Sequence, residues 1–364
     1  MSILFTPAKI STLNLPNRLV RSATAERLAD LRGFPLPELK ILYRELARGG
    51  VGLIISGHMY VHPSGKAHSE MTGIYADNLI PALSELTKSV HQEGGKIVVQ
   101  INHGGFQCDK DVVAETIAPS MIEDSRRGQT SRAMNLEEIE TTIDAYAQAA
   151  RRVKEAGFDG VQIHAAHGYL ISQFLSPYTN RRTDSWGGNL QNRTRFLQKV
   201  CQAVREQVGD DFPMMIKLGM EDGVENGLSP QEGAKIVTEL EHFGLDVLEI
   251  SGGYRSQNTK KGIRTEQDEA FFLPNVKIAR NTTILPIMAV GGYRSMSVME
   301  NVLESGYADF ISLCRPLISE PDLPNLFRAG IKVRSRCISS NNCWPKVLGA
   351  GISCKCPHDK VVQQ

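Results

Sequence analysis

His164, His167 and Tyr169 follow directly on the short apolar run Gly160-Val-Gln-Ile-His164, itself preceded by the turn Gly157-Phe-Asp159. Such a run, short, β-branched and bounded by turn residues, reads as a buried strand. Two imidazoles at i and i+3 and a phenol at i+5, leaving a strand, suit an enzyme that grips an oxyanion and delivers a proton. The same His-x-x-His spacing also serves a zinc pair, or two loop histidines satisfied by their neighbours.

The elements that must hold these groups alternate along the chain. Strand-like runs fall at 19–23, 52–56, 96–101, 160–164, 214–218, 247–251, 286–290 and 310–313. Helical patterns follow each of them, at 36–48, 79–93, 136–156, 190–207, 230–243, 274–279, 296–304 and 323–329. Several helices run into glycine turns, Gly49-Gly50, Gly94-Gly95, Gly157, Gly244 and Gly306, where a helix can stop in the left-handed conformation. Strand–helix alternation argues for a parallel sheet, and eight units argue for closure into a single (β/α)8 TIM barrel. A doubly wound open sheet is the alternative, although no Gly-x-Gly-x-x-Gly opens any of the helices. The barrel would span 1–330, and 331–364 would be a cysteine-containing C-terminal extension. Segments 107–135 and 168–189 are long for loops that follow strands, and in a barrel they would lie on the C-terminal face, where active sites are built.

Bulk composition narrows the classes of partner. With 41% apolar residues in 364, the chain can bury a sizeable core. Its 41 basic side chains nearly cancel 40 acidic ones, which leaves no electrostatic footprint for nucleic acid or an anionic membrane. No apolar stretch approaches a membrane span, and the start carries no signal-like pattern, so a cytoplasmic location is expected. The seven cysteines read as thiols, and no metal site is expected.

The segment Asn180-Arg-Arg-Thr-Asp-Ser-Trp-Gly-Gly188, continuing to Phe196, extends the histidine–tyrosine block. With Asn17-Arg-Leu-Val-Arg-Ser-Ala-Thr24, Gly50-Val-Gly-Leu-Ile-Ile55, Gln100 and Ala308-Asp-Phe-Ile-Ser-Leu-Cys-Arg-Pro-Leu-Ile318, it makes the chain resemble the old yellow enzyme family of flavin-dependent ene-reductases. The resemblance covers roughly residues 1–330 in order. It implies FMN on the barrel mouth, held by Ala23, Gly57, Gln100, Lys217, Gly291, Gly292, Cys314 and Arg315. It further implies that His164 and His167 bind the carbonyl oxygen of an electron-poor alkene, that Tyr169 donates the proton, and that NADPH or NADH is the reductant.

Some of those residues make the same case alone. A flavin mononucleotide needs phosphate donors, partners for its pyrimidine edge, and positive charge near N1 and O2. Gly291-Gly292 and Arg315 stand where barrels commonly bind phosphate, after the seventh and eighth strands. The Gln100 amide can donate and accept, and a cation at Lys217 would stabilise the N1–C2=O locus of reduced flavin. Each alone fits a turn or a surface role, and together they read as a flavin site.

The chain departs from the family pattern in three places. Ala25 stands where many relatives carry threonine or cysteine, which implies a lower flavin potential. Lys217 replaces an arginine, keeping the charge but not the planar fork. In the tail, Cys337, Cys343, Cys354 and Cys356 lack the spacing of relatives with a [4Fe–4S] cluster, Ser340 taking one ligand place; binding nothing is the first reading, and a zinc ion, or a cluster with Cys356 as the substitute ligand, stay open. Two alternatives share the barrel: a flavin-dependent CoA-thioester reductase, or an amine dehydrogenase or demethylase, decided by loop residues such as Tyr60, Arg255 and Phe271. A third, a flavin-free aldolase or ligand-binding barrel, would need Lys217 for a Schiff base. Homo-oligomerisation is left open.

Overall fold

A computed structural model describes residues 2–125, 128–254, 260–345 and 347–354. Eight parallel strands close on themselves: β1 (Leu19–Arg21), β2 (Leu53–Ile55), β3 (Ile97–Asn102), β4 (Val161–Ala165), β5 (Met214–Gly219), β6 (Val247–Ser251), β7 (Ile287–Val290) and β8 (Phe310–Leu313). Each pairs with the next, and β8 returns to β1 through Ile311 opposite Leu19. The strands are buried along nearly their whole length, as expected where helices cover a parallel sheet. The fold is the (β/α)8 barrel, and the open-sheet alternative falls with the β8–β1 closure.

The main helices are α1 (Pro37–Arg48), α2 (Ile80–His91), α3 (Leu136–Glu155), α4 (Leu190–Val208), α5 (Pro230–Leu240), α6 (Leu273–Arg280), α7 (Met296–Glu304) and α8 (Leu323–Arg328), with short helices at Leu170–Leu175 and Arg315–Ser319. Local chemistry sets their ends. Asn135 with Glu138, and Ser229 with Glu232, form capping boxes that satisfy the first free amides of α3 and α5. Gly157 and Gly244, at φ +78° and +73°, take the left-handed turn that lets the chain reverse into β4 and β6.

The barrel interior is layered. Near the strands' N-terminal ends, Val20, Leu53, Val98, Met215, Val247, Met288 and Phe310 pack with Ile10, Leu13 and Leu15 of an antiparallel hairpin (Ala8–Ile10 with Leu13–Leu15). The hairpin plugs that end. Polar side chains, Ser22, Gln100, Gln162, Lys217, Glu249 and Ser312, replace apolar ones toward the C-terminal ends, and all are at most 4% exposed. Apolar interior below and polar interior above put the chemistry at the C-terminal mouth.

Segment 107–135 carries more structure than a loop. Ile117–Ala118, Ile122–Asp124 and Gln129–Ala133 form a small three-stranded sheet. Segment 168–189 begins with a one-and-a-half-turn helix, Leu170–Leu175. After α8 the chain folds back over the mouth: Ser335 and Arg336 hydrogen-bond Glu320, the Ile352 amide donates to the Glu26 carbonyl, and Gly349 donates to Glu70. Among the described residues no group of histidine, cysteine, aspartate and glutamate is arranged to hold a metal ion; Cys356 and Arg255 lie outside them. No described helix is long and apolar enough to cross a membrane.

Candidate active site

At the mouth the register of the strands brings the polar residues side by side. His164 of β4 lies opposite Lys217 of β5, which lies opposite Glu249 of β6. The Lys217 ammonium donates to Ser22 Oγ at 2.7 Å and sits 3.3 Å from Glu249 Oε1. Glu249, fully buried, also accepts from Ser22 Oγ (2.6 Å) and Gln162 Nε2 (3.0 Å). The carboxylate and the ammonium thus form a buried pair inside one hydrogen-bonded network.

Above this floor is a cavity of about 500 Å³. Ala23 and Lys217 form part of its wall, with Gly291 and Gly292 after β7 and Cys314 and Arg315 after β8. Gly291 and Gly292 have φ +143° and +78°, and a Cβ on Gly292 would come within 2.3 Å of Ile263, so glycine is required there. Cys314 Sγ is 3.0 Å from Thr24 Oγ1. Arg315 spends one terminal nitrogen on the Lys260 carbonyl (3.0 Å) and Asn341 Oδ1 (2.7 Å), which aims the rest of the guanidinium. Ser312 Oγ is buried in the same wall without a hydrogen-bond partner among the described residues.

His167 and Tyr169 face the cavity from the other side. His167, at φ +59°, takes a backbone conformation uncommon for a non-glycine residue. Its Nε2 is 2.9 Å from Ser251 Oγ, a contact that fixes the ring. His164 stands directly behind, edge-on to His167 (5.4 Å between ring centroids) and to Tyr169 (4.9 Å), and its Nδ1 has no partner among the described residues. Burial first, then the positive neighbour Lys217, pushes His167 down to about 3, and burial with the adjacent His167 holds His164 well below its ordinary value. Both rings are neutral at physiological pH. Each then carries one N–H and can donate a hydrogen bond without releasing a charge.

Two residues expected at the cofactor are outside the cavity's lining. The Gly57 amide is already taken by Glu26 Oε1 (3.2 Å) and the Tyr43 hydroxyl (3.1 Å), and Gly57 is outside the cavity lining. Gln100 lies within β3, which runs on to Asn102, and its amide donates to Gln162 Oε1 at 2.7 Å. It belongs to the floor beneath the cavity: Gln100 holds Gln162, and Gln162 holds Glu249. Tyr60 is stacked on Tyr75 at 4.9 Å and is not in the lining, whereas Phe271 is. Sequence reasoning passed over Ser22, Glu249 and Ser251. Glu249 left a signal, an acid inside the apolar run Val247-Leu-Glu-Ile-Ser251 on a strand buried on both faces.

Comparison with known proteins places this geometry. Residues 3–333 match the model of the NADH:flavin oxidoreductase / NADH oxidase family. The NADPH dehydrogenase of Geobacillus thermodenitrificans is 36% identical over 324 residues, covering 89% of this chain and 93% of that protein. The NADH oxidase of Thermoanaerobacter brockii is 36% identical over 344 residues, 93% of this chain but 52% of that protein, so the chain spans about half the length of the first curated relatives it matches. A solved 2-naphthoyl-CoA reductase superposes with a TM-score of 0.87 at 30% identity, over 95% of this chain and 55% of that one.

Proposed function

The chain belongs to the NADH:flavin oxidoreductase / NADH oxidase family, the old yellow enzyme group, and on that premise we propose that it is an FMN-dependent NAD(P)H oxidoreductase that reduces activated C=C bonds. The observation that carries the reading is a single cavity with neutral histidine and tyrosine on one side and lysine, paired glycines and arginine on the other. We assign residues 1–330 to the barrel and 331–364 to an extension, whose described part packs on the mouth.

The donor set fits a flavin mononucleotide. Gly291, Gly292 and Arg315 offer amides and a guanidinium to a phosphate, and the unpartnered Ser312 hydroxyl lies beside them. Lys217 presents a cation that Glu249 keeps in place, suited to an electron-rich ring edge. Ala23 and Cys314 supply wall with little bulk. We keep Gln100 in the reading as the support of the floor, and Gly57 as a backbone neighbour. When bound, the flavin supplies the hydride that it has received from NADPH or NADH.

The chain's own residues do the rest. His164 and His167 donate hydrogen bonds to the substrate's carbonyl oxygen, and being neutral they polarise it without first losing a proton. As negative charge builds on that oxygen, Lys217 adds a favourable field from below. Tyr169 delivers its phenolic proton to the α-carbon and is fixed for this by its edge contact with His164. The plug formed by Ile10, Leu13 and Leu15 leaves the mouth as the way in.

The test is the visible spectrum of the purified protein, followed by anaerobic NADPH or NADH and then an enone. A flavin band that bleaches with nicotinamide and returns with the enone is the expected result. A colourless protein that takes up no added FMN refutes the reading. Likeness to a CoA-thioester reductase supports enoyl-CoA esters as a second substrate class for the same assay.

A further inference from the structure

Beyond Tyr169 the cavity continues into an arm that the proposed chemistry leaves unused. His58, just past β2, stands 5.0 Å from the Tyr169 ring between centroids, and His68 stands 6.0 Å beyond His58. Asn102 fixes His58 through its Nδ1 at 2.9 Å. His68 lines the cavity at 8% exposure, yet neither of its ring nitrogens has a hydrogen-bond partner among the described residues. Two unsatisfied nitrogens on a buried ring are costly, and native structures keep them where a ligand completes them.

Arg27 closes the arm. It is held at φ +55°, a conformation that a bulky residue rarely adopts. Its Nε pairs with Glu70 Oε2 at 2.7 Å, and Glu70 in turn accepts the Gly349 amide. The two terminal nitrogens form no hydrogen bond among the described residues, so the outer edge of the fork is open. The Trp344 ring lies 5.2 Å from the guanidinium carbon and covers it. Arg27 and Lys66 put positive charge beside His68, and the acids of this wall are Glu70, paired with Arg27, and Asp109 in the lining. An open guanidinium edge beside an unsatisfied imidazole is a bidentate acceptor's site, and Arg is the residue that reads a carboxylate in that way.

We propose that this arm is a carboxylate subsite: Arg27 and His68, under Trp344, hold an acidic group at the far end of a substrate whose carbonyl end meets His164, His167 and Tyr169. The proposal rests on the assignment of those three residues to the carbonyl end. It names the substrate class as unsaturated carbonyl compounds that also carry a carboxylate several bonds away.

Calorimetric titration of the flavin-loaded protein with 4-hydroxyphenylacetate and with its methyl ester tests both points separately. The phenol is the common end and the carboxylate the only difference. The acid is expected to bind at least about tenfold more tightly than the ester, in keeping with a hydrogen bond to a charged group. In Arg27→Gln the acid-to-ester ratio should fall toward one, and Arg27→Lys should restore part of it. Equal binding of acid and ester to the unaltered protein overturns the carboxylate subsite, and that comparison needs no variant to fold. A ratio that survives in Arg27→Gln overturns it as well. If neither compound binds, the carbonyl-end assignment fails and takes the subsite with it.

Discussion

The Lys217–Glu249 pair gives the sharpest check on the site's electrostatics. Glu249→Gln keeps the size of the side chain and one acceptor oxygen, for either Ser22 Oγ or Gln162 Nε2, but gives up the second acceptor and removes the charge that faces Lys217. At 3.3 Å the pair attracts by about 5 kcal/mol at an effective dielectric constant near 20. Lys217 is 4% exposed, so water from the cavity replaces the lost partner only in part. Leaving one buried charge unpaired typically costs about 3–5 kcal/mol. Spread over a barrel of this size, that is a fall in Tm of roughly 5–15 °C. Scanning calorimetry of the Glu249→Gln protein, of Lys217→Met and of the double variant reads the effect. The double variant should be more stable than Glu249→Gln alone, because no unpaired charge remains. A Glu249→Gln protein within about 1 kcal/mol of the parent would refute the argument, as would a double variant whose loss is the sum of the two singles.

Two further outcomes are expected. Tyr169→Phe should leave reduction of the flavin by NAD(P)H at its normal rate and slow reoxidation by alkene by about 10²–10⁴-fold, read by stopped-flow of the two half-reactions; equal slowing of both would remove the proton-donor role. Stability should rise between pH 4.5 and 6.5. Burial pushes His58, His103, His167 and His68 down from 6.5 to about 4, 3, 3 and 2, so below pH 6.5 the unfolded chain takes up more protons than the folded one. Burial lowers His62 and His164 as well, and it raises Glu26 to about 7, whose contribution, present below 4.5, is lost between 4.5 and 7; with Asp222, also raised by burial, two acids oppose the trend of six histidines. A urea midpoint at pH 4.5 equal to or above that at pH 6.5 would contradict this balance.

The scaffold was readable because its period was clean. Val247–Ser251, Met296–Glu304 and Phe310–Leu313 begin and end where the pattern of apolar runs and turns put them. The other six strands lie within two residues of their expected ends, since a strand buried on both faces shows as an unbroken apolar run. The sheet over 117–133 was hidden because its strands are two to five residues long, and Gln129–Ala133 is mostly exposed, with no run to mark it. Lys217, Gly291, Gly292 and Arg315, proposed from their places at strand ends, line one cavity. Gly57 and Gln100 show the weakness of that rule: a position beside the mouth does not say whether its polar group already has a partner inside the protein. Arg27, His68 and Trp344 were beyond reach, because nothing in the chain announces that residues more than 270 positions apart share a wall.

The return of β8 to β1 also sets an order of events. Leu19 has no strand on one side until Ile311 arrives, 292 residues later, so the sheet keeps two open edges through most of synthesis. The hairpin plug is made first and waits for the strands it will fill. The wall near Arg27 waits longer still, for Trp344 and Gly349 to leave the ribosome and settle on residues translated more than 270 codons earlier. The wall at Arg27 is thus finished only after the barrel's strands have all been made, and a chain arrested between residues 313 and 344 could close its barrel with that side of the cavity still open.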